Sequence, residues 1–353
     1  MFSLGRKKQP LLGIDITSTA VKLIELGRSG KRYRVECYGV EPLPTNAVIE
    51  KNISDVEAVA NALSKALKRS GSKARRCALA VPAAAAISKV ITMPANLSEE
   101  EMEGQIQLEA DQYIPYSVDE VNLDFEVIGP SATNPDAVDV LLAASRKEIV
   151  ETRSSIAEMA GLTPMVMDIE SFATLNAYEQ LIATHPAAND ERVVAIVDVG
   201  ATMTSINVVQ GGQLLYTREQ PFGGRLLTEE IMRRYGLSYA EAGLAKKEGG
   251  LPDNYVPEIL NPFKDTMAQQ VHRLLQFFFA ASQHSEVNEI VLAGGCAAIP
   301  GMDELIEQRT HYKTTIANPF SRMSFAPRIN QQKLGNDAPT MLIAVGLALR
   351  SFD

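Results

Sequence analysis

One pattern recurs half a chain apart and constrains the fold more than any other feature. The stretch GIDITSTAVK, residues 13–22, runs an apolar strand into Asp15, turns on three hydroxyl residues and enters a second strand at once. The stretch VDVGATMTS, residues 197–205, does the same around Asp198. Setting Asp15 on Asp198 lays Ser18 and Thr19 on Ala201 and Thr202. A hairpin of this kind offers backbone N–H groups and hydroxyls to phosphate oxygens, and the carboxylate at its base orients a hydrated magnesium ion. One acid-ended hairpin is an ordinary turn. Two copies with matched flanking strands, facing each other, would hold a nucleotide's phosphates from both sides.

The flanking strands extend the repeat. The first hairpin leads into YRVECYGV, and the second passes through a Gly211-Gly212 turn into LLYTREQ. A third element, EIVLAGGCAAIPGM (289–302), is an apolar strand ending on Gly294-Gly295. Paired glycines let a backbone approach a planar base or ribose where a Cβ would collide.

Between the halves the pattern changes. Ser54 with Glu57 has the spacing of a capping box, and Val56, Val59, Ala60, Leu63 and Leu67 follow at helical period. From residue 83 to 161 the strands ISKVITM, VNLDFEVIG and VDVLLAASR alternate with two helices. The first of these is capped by Ser98 and Glu101 and stopped by Pro115, and the second runs over about residues 147–160. This stretch reads as an inserted α+β unit.

Composition excludes several function classes. The chain has 353 residues and a formal net charge of −9, the opposite of the basic face that a nucleic-acid binder presents. The same charge disfavours adsorption to anionic lipid. Three scattered cysteines cannot build a disulfide framework, and the four histidines share no metal-ligand spacing. No stretch approaches the roughly 20 apolar residues of a membrane-spanning helix.

GIDITSTAVK resembles the first phosphate motif of the actin-like ATPase superfamily, VDVGATMT the second, and VLAGGCAAIPG the adenosine motif. DIESFATLNAY and PTMLIAVGLALR stand where that superfamily has its two connecting helices. Within it, the placement of the inserted unit, together with EADQYIPY, VDVLLAASRKE, YTREQPFGG and GLALRSFD, resembles the PilM family of type IV pilus assembly, a relative of FtsA. The resemblance implies an α/β, actin-like two-lobed fold of duplicated ribonuclease H-like domains with an inserted 1C-type α+β subdomain. The expected divisions are subdomain 1A over 10–82, 1C over 83–161, the rest of 1A over 162–190, a second lobe (2A/2B) over 191–337, and the second connecting helix over 338–353.

The resemblance also implies ATP and magnesium in the cleft, with at most slow hydrolysis. Asp15 and Asp198 would hold magnesium through water. Thr17, Ser18, Thr19 and Lys22 from the first hairpin, with Gly200, Ala201, Thr202 and Thr204 from the second, would line the phosphates. Gly294, Gly295 and Ala297 would pack beside the nucleoside, and Lys246 would reach it. Asp168 and Glu170 are the candidates for positioning an attacking water, although acids at a helix N-terminus are also favoured by the helix dipole alone. Four positions depart from the superfamily pattern: Thr17 replaces a glycine, Ala201 and Thr202 replace others, and Gly243 stands where FtsA-type relatives carry glutamate.

For function, the resemblance implies a cytoplasmic adaptor that sits peripherally at the inner membrane through a partner. It would bind the N-terminal cytoplasmic peptide of a PilN-like protein and link it to the pilus motor ATPases and the platform protein, in pilus biogenesis and twitching motility. Tyr113, Ile114, Pro115 and Tyr116 are the groove candidates; the alternative is that they close the 1C core. The runner-up function is an FtsA- or MreB-like filament former, and a homo-oligomer is compatible with either reading.

Overall fold

The computed structural model describes residues 10–30, 32–131, 134–182 and 191–352. The basic run at residues 5–8 and most of the polar segment at 184–192 lie outside them.

Two sheets are built on one plan. In the first lobe Leu11–Ile16 pairs antiparallel with Ala20–Ser29, which pairs antiparallel with Arg32–Pro42. On its other side Leu11–Ile16 pairs parallel with Arg76–Val81, and that strand with Thr163–Ile169. In the second lobe Val194–Val199 takes the place of Leu11–Ile16. It pairs antiparallel with Met203–Gln210, which pairs antiparallel with Gln213–Pro221, and parallel with Glu289–Ala293, which pairs parallel with Thr314–Ile316. The short strand Ser324–Phe325 extends the first sheet to six strands. A separate three-stranded antiparallel sheet, Ala86–Pro94, Ala137–Arg146 and Val121–Pro130, carries the stretch between them.

Both central strands are covered on both faces. Leu12, Ile14 and Ile16 face a core closed by helix Val56–Ser70 and by Ile156 and Ala157 of helix Lys147–Met159. Ala195, Val197 and Val199 face a core closed by the long helix Asn261–Ala281. On the other face of the first central strand Leu11 packs with Ala78, Ala173 and Leu347, and beside it one shared core gathers Ile24, Leu26 and Val35 of the first lobe and Val194, Ile196 and Val291 of the second around helix Leu342–Leu349. That helix, LIAVGLAL, is apolar all round, as a helix with no solvent face must be.

The backbone comes unusually close there. A Cβ on Gly346 would lie 1.8 Å from the Ala173 carbonyl oxygen of helix Glu170–Ala177, and one on Gly13 would lie 2.0 Å from that of Ala344. Neither glycine has a positive φ, so the requirement is space and not backbone conformation.

One local expectation changes. Helix Val56–Ser70 is capped by Asp55, whose Oδ1 accepts from Ala58 N at 2.9 Å, and not by Ser54. The backbone N–H groups of Ser54 and Asp55 both donate to Ala47 O, which holds Ser54 one step outside the helix. The second cap stands as read, since Ser98 and Glu101 form a reciprocal capping box.

Gly346→Ala is expected to destabilise the protein by at least ~3 kcal/mol, the upper part of the range for overpacking, because two backbones must separate. Gly335→Ala, where a Cβ meets nothing within 4 Å, is expected to be neutral or to stabilise by up to about 1 kcal/mol. Urea unfolding of both variants measures the contrast.

Candidate nucleotide cleft

The two acid-ended hairpins meet. Thr202 Oγ1 donates to Ser18 Oγ at 3.2 Å, so the turns of the two lobes touch directly. Behind them Asp15 is 4% exposed and accepts from Lys22 Nζ at 3.1 Å, its cross-strand partner in the hairpin. The same ammonium donates to Thr340 O at 2.7 Å, just before the central helix. Pro339 O in turn accepts from Gly294 N at 2.8 Å. One short segment therefore ties the first hairpin to the glycine pair.

In the first turn Thr17 N donates to Ala20 O at 3.0 Å, and Thr17 Oγ1 reinforces the closure by donating to the same oxygen at 2.9 Å and accepting from Ala20 N at 3.1 Å. Thr19 is exposed, and its carbonyl accepts from Leu43 N at 2.9 Å.

In the second hairpin Gly200 N donates to Met203 O at 3.0 Å, while the carbonyls of Gly200 and Ala201 accept from Gly224 N and Arg225 N. Helix Gly224–Tyr235 thus starts against the turn, and a Cβ on Gly223 would lie 2.5 Å from Ala201. Thr204 faces inward, fully buried, with its hydroxyl donating to Phe222 O at 2.9 Å. Only its backbone remains near the turn.

Gly294 has φ +86°, and a Cβ there would lie 2.5 Å from Asp198 Oδ1. The adenosine-type turn and the second acid are therefore in contact. Gly295 is exposed beside them, whereas Ala297 is buried in the second-lobe core. Of the adjacent lysines it is Lys246 that turns inward, donating to Thr228 Oγ1 at 2.7 Å and Gly224 O at 3.3 Å, while Lys247 is exposed. Burial depresses the Lys246 ammonium, and Cys296 nearby partly offsets this.

A charge cluster underlies the cleft, and half of it was not visible in the sequence. Lys51 donates to Glu170 of the first lobe and, at 2.5 Å, to Glu219 Oε1 of the second. Burial works to depress its ammonium, but the two glutamates outweigh burial and hold it well above the ordinary lysine value. Arg153, 4% exposed, donates to Ala80 O at 2.9 Å and to Lys51 O at 3.1 Å. Burial pushes the Glu170 carboxyl up and Lys51 pulls it back. Asp198 is likewise raised by burial, against the pull of Lys22 and Lys51. Lys51 and Arg153 lie in no motif, and nothing within YTREQPFGG marks Glu219 as a site residue; each is a single charge in a strand, turn or helix.

The remaining candidates separate. Asp168 accepts from Arg350 Nε at 2.7 Å and from Ile169 N, which commits it to the C-terminal segment. Ile114 is buried in the small three-stranded unit, and Tyr113 is half-buried, donating to Glu109 with Lys89 over its ring. Pro115 and Tyr116 are exposed, Tyr116 beside the Arg146 guanidinium. Gly243 is half-buried, with nothing within 4 Å of a Cβ. All three cysteines are buried free thiols, and among the described residues no cluster of histidine, cysteine and acid is arranged to hold a metal.

Because burial raises Asp198, the folded state binds its proton more tightly than the unfolded chain does. This group's contribution to stability therefore falls as pH climbs from the ordinary value of 3.8 through the raised one. In nucleotide-free protein with chelator, Asp198→Asn is expected to raise the thermal midpoint at pH 7, and the gain should vanish below about pH 4. A lower midpoint at pH 7 would show that Lys22 and Lys51 stabilise the carboxylate more than burial costs it.

The family model described as type IV pilus assembly protein PilM matches residues 13–352. The chain is similar to a solved PilM-PilN type IV pilus biogenesis complex, with 27% identity, a TM-score of 0.81, and 98% of this chain and 99% of that one covered. The ethanolamine utilization protein EutJ from Carboxydothermus hydrogenoformans matches at 15% identity and TM-score 0.57, over 96% of this chain and 89% of its own, and shows the fold alone. The cell division protein FtsA of Helicobacter pylori strain J99 is 25% identical over 254 residues, 63% of this chain and 48% of its own. The chain thus spans about half the length of that curated relative. The architecture is the two-lobed actin-like fold. With the family model matching all but the extreme ends of the chain, the protein belongs to the PilM family of type IV pilus assembly proteins.

Proposed function

We propose that this protein is a nucleotide-responsive adaptor of the pilus assembly platform, holding Mg-ATP between its two hairpins. The observation that carries the reading is the Thr202–Ser18 contact, which brings the acid-based turns of both lobes face to face. The donor set suits the ligand. Among the described residues no group donates a hydrogen bond to the half-buried Asp198 carboxylate, which leaves it available to a hydrated cation. Magnesium bound there would neutralise phosphate charge. Asp198 and Asp15 would orient it, Ser18 and Thr202 would present hydroxyls to phosphate, and Gly294, Gly295 and Lys246 would border the nucleoside. Of the two acids Glu170 is the candidate for orienting water, since it lies near enough to Asp15 for their charges to interact, whereas Asp168 pairs with Arg350.

The partner in this reading is the N-terminal cytoplasmic segment of a PilN-like membrane protein, because the similar solved structure is a PilM-PilN complex. Among the described residues no helix is long and apolar enough to cross a membrane, so the reading places the protein at the inner membrane through that partner. Motor ATPases would be engaged from the same platform. A nucleotide can drive such an adaptor only by binding one lobe arrangement more tightly than another.

Two measurements test this. Denatured wild-type protein should release near-stoichiometric nucleotide, and Asp15→Ala with Asp198→Ala should weaken ATP binding by about a hundredfold, ~2.7 kcal/mol. Calorimetry with the PilN-type N-terminal peptide should show an affinity that changes when Mg-ATP is added, and Tyr116→Ala should weaken it by about tenfold. ATP-dependent pelleting that the peptide does not alter would instead favour a filament former.

A further inference from the structure

The strained part of this backbone is concentrated in one hairpin that reaches across the cleft. Four described non-glycine residues have positive φ: Asn46 (66°), Glu50 (47°), Lys51 (66°) and His311 (63°). Three of them lie between Pro44 and Ile53. Val48–Ile49 pairs with Asn52–Ile53, so Glu50 and Lys51 form a two-residue turn with both φ positive, a geometry that ordinarily selects Asn-Gly. Such strain persists where the surroundings over-determine it. Here Arg153 donates to the Lys51 carbonyl, and Glu170 accepts from the Lys51 ammonium.

The same strained residues make the crossing contacts. Lys51 Nζ donates to Glu219 Oε1 of the second lobe at 2.5 Å, and Asn46 Oδ1 accepts from Arg225 Nη2 at 3.4 Å. Opening the cleft would hydrate Glu219 and leave Lys51 on Glu170 alone. The ammonium therefore holds the two lobes together only when they are closed.

We propose that the Pro44–Ile53 hairpin is a cross-cleft latch, with Lys51 bridging Glu170 and Glu219 and with Asn46–Arg225 as a second catch. What the latch retains rests on the nucleotide reading above. The latch itself does not, since its contacts are between protein groups.

Spin labels at Lys65→Cys in the first lobe and Arg233→Cys in the second, both exposed against buried native cysteines, report lobe separation by double electron–electron resonance. Without nucleotide, Lys51→Met and Glu219→Gln should each lengthen or broaden the distance distribution. Glu170→Gln, within the first lobe, should leave the distribution unchanged. Arg225→Ala, at the half-exposed rim, should widen it less, and it keeps the test available if Lys51→Met does not fold. Unchanged distributions in the folded Lys51→Met and Glu219→Gln variants would overturn the latch, and so would equal widening in all variants, which would mean a loosened core. In a separate arm, Lys51→Met should release a fluorescent ATP analogue at least about tenfold faster than wild type, as loss of a buried charge pair acts mainly on dissociation. If the wild type binds no analogue, the nucleotide reading falls while the distance arm still judges the latch.

Discussion

The crossing of two short helices at glycine distance is the constraint on which the rest depends. Helix Leu342–Leu349 lies on the Gly13 backbone of the first central strand and on Ala173 of helix Glu170–Ala177. Asn176 Nδ2 donates to Gly346 O at 3.2 Å, and Leu11 N to Ser351 Oγ at 2.8 Å, so the crossing is also held by polar contacts. Because the shared core wraps this helix from both lobes, the lobes are joined at their base and bring their two acid-ended hairpins face to face above it. A bulkier residue at Gly346 would change the spacing between the sheets and hence whether Ser18 and Thr202 meet.

Above that base the structure sets charge into a confined space. Asp15, Glu170, Asp198 and Glu219 face Lys22, Lys51 and Arg153, and burial raises two of the acids even with the cations present. A fold selected for stability alone would be expected to replace such groups by apolar ones, since buried ion pairs are often no better than hydrophobic packing. The proposed nucleotide site and latch would give these charges a use that packing alone does not.

The departures from the superfamily pattern have local physical reasons. Thr17 makes the same backbone closure as Gly200, and its hydroxyl adds two hydrogen bonds across the turn. The second turn carries Ala201 and Thr202, and the close approach there is met from outside by Gly223, against which helix Gly224–Tyr235 begins.

The duplicated architecture was legible because it is written in local periodicity: apolar strands ending on Asp15 and Asp198, Gly211-Gly212 and Gly294-Gly295 as turns, and an all-apolar run from Leu342 to Leu349. These signals survive without tertiary information because strand pairing and burial impose them residue by residue. Lys51, Glu219 and Arg153 carried no such signal. A single charge in a strand or turn looks like any solvated residue until distant segments bring its partners within hydrogen-bond reach. The same holds for Thr204 and Ala297, whose residue types suit a phosphate or nucleoside contact but whose side chains turn to the core, and for Asp168, which Arg350 claims across half the chain. The sequence by itself thus determined the repeat, the two sheets and the acids at the hairpin bases. Only the tertiary structure decided which polar side chains face the cleft and which lysine spans it, because those contacts join residues that no local period connects.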